Sequence, residues 1–172
     1  MRKILPLFII LIAVGCKPKE NIKFTYISDF NWHVLDSLQY KDKPLSYILD
    51  PNLPLVLYIS NNECAECIHN FIKFNKAMPN LDKKIQYIYI ITGHDNTMFA
   101  YYLKENKINI KNNAYLIMDS LDIFHQNMSK YLGNQIFILK KNNRAIQLLS
   151  NPIKNKETLK SFQELIKKMK QM

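Results

Sequence analysis

The sequence predicts one α/β domain: a mixed central sheet with helices on both faces and an extra strand segment on its N-terminal side. Two apolar runs, Leu55-Val56-Leu57-Tyr58-Ile59-Ser60 and Ile85-Gln86-Tyr87-Ile88-Tyr89-Ile90-Ile91, have strand length and lack a polar face, as strands covered on both sides do. Segments of helical period separate them from each other and from later strands, the alternation that layers helices over a sheet. Near the end, residues 135–140 and 144–149 flank Lys141-Asn142-Asn143 and predict a hairpin, which makes the sheet mixed. The chain has 172 residues, 48% of them hydrophobic, which suits one domain and excludes disorder over most of its length. No repeat with a period of about 20–50 residues is visible, which excludes solenoids and propellers.

Element by element, residues 21–28 alternate through Ile22, Phe24 and Tyr26, as an edge strand does. Trp32 and Val34 suggest a second short strand, and Pro51 and Pro54 bracket a turn before the 55–60 strand. Residues 64–78 predict a helix, because Cys64, Cys67, Ile68, Phe71, Ile72 and Asn75 fall on one face. Ser60 with Glu63 fits a capping box for it, Asn61 or Asn62 could cap instead, and Pro79 stops it. The 84–92 strand precedes a helix over 96–106 with Met98, Tyr101 and Tyr102 inward and Leu103 beside them. A short strand over 114–118, a helical segment over 121–132 and the hairpin follow. An amphipathic helix over 155–172 closes the chain through Leu159, Phe162, Leu165, Ile166 and Met169. With only three glycines, Asn must serve in turns, and the pairs at 61–62, 112–113 and 142–143 fall at predicted breaks.

Residues 1–15 begin with Met1-Arg2-Lys3, run through apolar Ile4 to Val14 and end at Gly15, the pattern of a secretory signal. Ala13-Val14-Gly15-Cys16 resembles the bacterial lipobox, in which the cysteine is acylated and becomes the first mature residue. That resemblance implies a lipid anchor at Cys16, a tether over 16–20 and a location on the periplasmic side of a membrane or at the cell surface. Residues 21–50 form an N-terminal extension and 51–172 the main domain. The formal net charge is +10, but Arg2 and Lys3 leave with the signal and the remaining lysines are scattered. No basic stripe for nucleic acid results.

Of three cysteines, lipidation of Cys16 would leave only Cys64 and Cys67, one pair at CxxC spacing. The pair sits where a buried strand ends and a helix starts. Side chains at i and i+3 share a helix face, so the two sulfurs are within reach of each other. Free N–H groups and the dipole at a helix start favour a thiolate on Cys64, while Cys67 lies one turn inside and would resolve a mixed disulfide. Two other readings compete: a permanent structural disulfide, and half of a metal site with His69 as the nearest third ligand. Against metal, there is no second cysteine pair, and His33, His69, His94 and His125 show no ligand spacing. His94-Asp95 is a solvated loop pair, and Trp32 and the tyrosines at 87, 89, 101 and 102 are packing residues.

This strand, CxxC, helix, strand, helix, strand, hairpin and terminal helix resemble the thioredoxin fold. More narrowly, with the lipobox, the chain is similar to the thioredoxin-like lipoproteins of Bacteroidetes-type bacteria. The resemblance covers about residues 50–172. It implies Cys64 as nucleophile and Cys67 as resolving thiol. It also locates four departures that tune the site. Glu63 replaces the family's Trp before the first cysteine, Ala65-Glu66 replaces Gly-Pro, and Tyr58 stands where thioredoxin keeps a buried acid. Asn134 stands where the family has its cis-proline, and a cis bond without proline costs about 3 kcal/mol, so this junction is expected to be trans. Negative charge from Glu63 and Glu66 beside Cys64 disfavours the thiolate and predicts a reducing couple.

The expectation is a membrane-anchored thiol-disulfide oxidoreductase acting through Cys64 and Cys67 on protein thiols or disulfides, without metal, cofactor or nucleic acid. The alternative is a catalytically weak binding module with a static disulfide.

Overall fold

A computed structural model describes residues 23–27, 30–77, 84–110, 114–128, 135–141, 144–148 and 151–171. The predicted signal, Cys16, Pro79, Asn134 and the Asn pairs at 112–113 and 142–143 lie outside the described residues.

The strands are β1 (Phe24–Ile27), β2 (Gln39–Tyr40), β3 (Lys43–Pro44), β4 (Leu55–Asn61), β5 (Gln86–Thr92), β6 (Ala114–Asp119), β7 (Gln135–Lys141) and β8 (Arg144–Leu148). The helices are α1 (Val34–Ser37), α2 (Ala65–Ala77), α3 (Thr97–Glu105), α4 (Ile123–Met128) and α5 (Lys156–Gln171), with one 3₁₀ turn at Leu45–Tyr47. Six strands form one sheet in the order β1-β8-β7-β4-β5-β6. β4, β5 and β6 are parallel, while β7, β8 and β1 join antiparallel, so the sheet is mixed as expected. β4 is central, between β5 and β7, which is why Leu55 to Ser60 are all buried. β1 takes the outer edge beside β8, where Phe24 and Tyr26 remain exposed.

Two apolar layers flank the sheet. On one face α2, α3 and α5 cover Val56, Tyr58, Tyr87, Tyr89, Phe137 and Leu139. On the other, α1, the 3₁₀ turn and α4 cover Leu55, Leu57, Ile59, Ile88, Ile90 and Ile138. The first layer is aromatic: Tyr58 stacks on Phe74 at 5.4 Å between ring centres and meets Phe137 at 4.6 Å, and Phe74 meets Phe162 of α5 at 5.8 Å. Helices on both faces of a mixed sheet are what the sequence predicts.

Three local expectations are corrected. Trp32 and Val34 do not form a strand; a turn leads into α1. The Asn31 side chain accepts from His33 N–H at 3.1 Å and the Asn31 carbonyl from Val34 N–H at 3.3 Å, which winds the chain into a helical turn. Trp32 instead packs on Phe30, ring centres 4.2 Å apart, with Lys140 Nζ 4.5 Å above its ring. In α3 the inward residue is Phe99, with Leu103 packed beside it, while Met98, Tyr101 and Tyr102 face solvent. Phe99 wins the inner face because it reaches Phe71, 5.3 Å between centres. Ser60 and Glu63 form no capping box, since Ser60 is buried inside β4.

A reciprocal cap does occur at α5. Asn155 Oδ1 accepts from Thr158 N–H at 2.9 Å, and Thr158 Oγ1 accepts from Asn155 N–H at 3.1 Å. Asn155→Ala is expected to cost about 1 kcal/mol, read as a drop of roughly 2–4 °C in thermal midpoint.

Candidate active site

β4 carries the chain out of the core, and Asn61 ends it. Its Oδ1 accepts from Glu63 N–H at 2.7 Å, a turn closed by an Asn side chain. Cys64 follows and α2 begins at Ala65. Cys64 and Cys67 form a disulfide, with Cα atoms 5.1 Å apart. Cys67 is buried at 2% exposure, whereas Cys64 is half-buried. The Cys67 N–H points at Cys64 Sγ, 3.2 Å away, and the Cys64 carbonyl accepts from Ile68 N–H at 3.0 Å. A cysteine sulfur therefore occupies the place that Ser or Asp takes in an ordinary helix cap. In the reduced protein the same N–H would bond a Cys64 thiolate, adding a charge-assisted hydrogen bond to the field of the helix start.

In β4, six residues before Cys64, Tyr58 is fully buried among Phe71, Phe74, Tyr89 and Phe137. Burial pushes its hydroxyl far above the ordinary phenol value, so it accepts no proton near neutrality. Glu66 is exposed in the first turn of α2. Glu63 is also exposed, but it is tied down, since its Oε1 accepts from His94 N–H at 3.0 Å.

That bond opens a set of polar contacts that the sequence reading did not assemble. Three parallel strands end side by side, and each contributes a loop. Asn62, after β4, is fully buried and donates through Nδ2 to Asn96 Oδ1 at 2.6 Å and to the Gly93 carbonyl at 3.3 Å. Asn96, before α3, donates through Nδ2 to Ser120 Oγ at 3.0 Å, after β6. The Ser120 carbonyl can only accept, so His94 bonds it at 2.9 Å with a protonated Nδ1. His94 is exposed, as a loop residue should be, yet both its backbone and its ring are engaged. Asp95 Oδ1 accepts from Thr97 N–H at 2.8 Å, which starts α3 and holds that carboxyl below its ordinary value. The signal for this cluster was Gly93, one of three glycines, directly after a buried strand.

His69 is exposed on α2, and among the described residues no group of three or more His, Cys, Asp or Glu side chains is placed to hold a metal ion. No cis peptide bond occurs among the described residues, and none of their helices is long and apolar enough to cross a membrane.

Mixed sheet and flanking helices form a thioredoxin-like fold, with a closed CxxC disulfide at the start of α2. No protein-family model matches the chain, and no curated protein matches it. Solved structures do. The thioredoxin domain of a thiol-disulfide oxidoreductase from Bacteroides vulgatus is similar at a TM-score of 0.51 and 11% identity, over 67% of this chain and 81% of that one. The N-terminal domain of PilB from N. meningitidis, in its reduced form, is similar at a TM-score of 0.50 and 14% identity, over 78% of this chain and 94% of that one. At such identities the likeness is one of architecture: the chain has the thioredoxin-like fold.

Proposed function

We propose that this chain is a membrane-anchored thiol-disulfide oxidoreductase that reduces disulfides in protein partners outside the cytoplasmic membrane through Cys64 and Cys67. One observation carries the reading: a half-buried Cys64 bonded to a fully buried Cys67, with the Cys67 N–H aimed at Cys64 Sγ. The Cys64 thiolate attacks a partner sulfur, forming a mixed disulfide and releasing the other partner sulfur as a thiolate that takes a proton. Cys67, deprotonated, attacks Cys64 Sγ, closing the Cys64–Cys67 disulfide and releasing the second partner thiol. Two electrons pass to the partner, and an external dithiol must restore the pair. The sequence supports a lipid anchor at Cys16, after a signal over 1–15 and before a tether over 16–20. Residues 51–172 would then form the exchanging domain, with 21–50 as its N-terminal extension.

The charges of Glu63 and Glu66 support the reducing direction. In a graded dithiol buffer the pair should equilibrate near the thioredoxin potential of about −270 mV. Glu63→Gln with Glu66→Gln should raise that potential, while Gln at 63 still offers an oxygen to His94 N–H. A pair that stays oxidised until the protein unfolds would sink the exchange reading. An unchanged potential in the double variant would sink the electrostatic one. A second reading, a static-disulfide binding module, draws on Tyr58, a buried phenol six residues before Cys64 where thioredoxin keeps an acid. The same titration separates the two.

A further inference from the structure

We propose that Asn62 is a positioning residue for Cys64, setting the orientation of its sulfur through the loops after β5 and β6. The inference deepens the oxidoreductase reading and rests on it. Asn62 lies two residues before Cys64 and has no exposed surface. A buried side-chain amide in a strand-to-helix junction is retained only with hydrogen bonds to match. Its backbone N–H bonds the Thr92 carbonyl at 2.9 Å, and both hydrogens of Nδ2 are used, on Asn96 Oδ1 and the Gly93 carbonyl.

The direction of every bond is fixed. The Gly93 carbonyl can only accept. The Asn62 Nδ2 that donates to it also meets Asn96, so Asn96 presents its Oδ1 there and its own Nδ2 to the Ser120 hydroxyl. Asn62 therefore acts as a donor, and its Oδ1 is left buried with no hydrogen-bond partner among the described residues. That oxygen lies against the backbone of Gly93, which has φ +112. A Cβ at residue 93 would overlap Oδ1 and come within 2.9 Å of Asn62 Cγ. Glycine is thus the residue that lets the Asn62 amide lie flat on this loop. One residue further along each loop, Glu63 Oε1 repeats the link by accepting from His94 N–H.

These bonds grip the two residues immediately before Cys64 and leave the pair itself untouched. The contact they protect is Cys67 N–H to Cys64 Sγ, which needs Cys64 held in the capping position. If the grip fails, the chemically reduced protein still folds, but the thiolate loses a donor and its titration midpoint rises.

The test is the pH profile of alkylation by iodoacetamide in fully reduced full-length protein, with labelled cysteines identified by mass. Asn62→Leu keeps about the same size, removes both donors and adds no charge, and Asn96→Ala removes one acceptor from a half-buried loop position. Both should move the Cys64 midpoint up by about one pH unit. The thiolate fraction then falls about tenfold at lower pH, and the greater nucleophilicity of a more basic thiolate returns about threefold, so the neutral-pH rate falls about threefold. Gly93→Ala should do the same by displacing the amide. A merely structural role would lower the thermal midpoint and leave the alkylation profile superimposed on that of the wild type, and that result overturns the proposal. If Asn62→Leu does not fold, Asn96→Ala decides. Alkylation requires no exchange with a partner, so a failure of this inference and a failure of the oxidoreductase reading are told apart by the two measurements.

Discussion

Cys67→Ser should accumulate a covalent mixed disulfide with partner proteins or a small disulfide, and Cys64→Ser should accumulate none and exchange only at the rate of the buffer thiols. The expectation follows from unequal burial. Cys67 shows 2% of its surface, so an incoming disulfide cannot align with its sulfur, whereas Cys64 sits at the lip of the α2 N-terminus and is half-buried. Attack at Cys64 leaves a mixed disulfide that only the sulfur one helical turn inside can reach, since exchange needs a thiolate in line with the bond it breaks. Removing Cys67 removes that exit and leaves the first step intact. Non-reducing electrophoresis followed by mass analysis reads both variants. Equal trapping by the two would mean that neither sulfur is privileged, and the division of labour drawn from burial would fall. No trapping by either would favour a bridge that is only structural.

The strand β4, the helix α2 and the position of the pair between them were legible because each rests on a local signal strong enough to survive tertiary context. Five consecutive apolar residues, Leu55 to Ile59, suit a strand buried on both faces, and a CxxC at the head of an amphipathic helix has one face to share. α3 was legible as a helix but not in phase. Met98, Phe99, Tyr101, Tyr102 and Leu103 are apolar almost all round, so periodicity gave no preference, and the ring of Phe71 chose Phe99. The turn before α1 depends on a single Asn31 side chain taking a backbone N–H, an event no periodicity registers. The β2–β3 hairpin was missed because its tight turn uses Lys41 and Asp42 at positive φ, where glycine or asparagine would have announced it.

The grip on Cys64 was invisible for another reason. Asn62, Gly93, Asn96 and Ser120 come from three loops, and parallel strands bring their ends together across 24 to 34 residues of sequence. Read locally, Asn61-Asn62 is a strand breaker and Gly93-His94-Asp95 a turn. Only the register of β4 on β5, which pairs Asn61 with Thr92, turns two breakers into neighbours. Topology therefore determines which polar loop residues meet, and the chemistry of the pair inherits that choice.

Stability should collapse at alkaline pH more steeply than exposed groups alone would require, because the layer under α2 is built from tyrosines. Tyr58, Tyr87 and Tyr89 are each at most 1% exposed. Burial pushes the Tyr87 hydroxyl up to about 12 and those of Tyr58 and Tyr89 further. For Tyr89 the neighbouring phenols add to the rise. Above pH of about 10 an unfolded tyrosine loses its proton while a folded one keeps it, so the native state binds more protons and stability falls as pH rises. Their contribution is intact below that value and is lost on climbing toward the folded-state values, from about 10 to about 12 for Tyr87. Each group adds a slope of about 1.4 kcal/mol per pH unit, so three together reach about 4. A domain stable by about 5–15 kcal/mol is exhausted within a few pH units on such a slope. Denaturant midpoints measured at half-unit steps from pH 8.5 to 11.5 give the slope directly. Tyr89→Phe isolates one group. The Tyr89 hydroxyl is buried with no hydrogen-bond partner among the described residues, so its removal should be neutral or stabilise by about 1 kcal/mol at pH 7 and cut the alkaline slope by about a third. A wild-type midpoint flat to pH 11.5, or a Tyr89→Phe slope equal to that of the wild type, would show that these phenols do not titrate as a buried set.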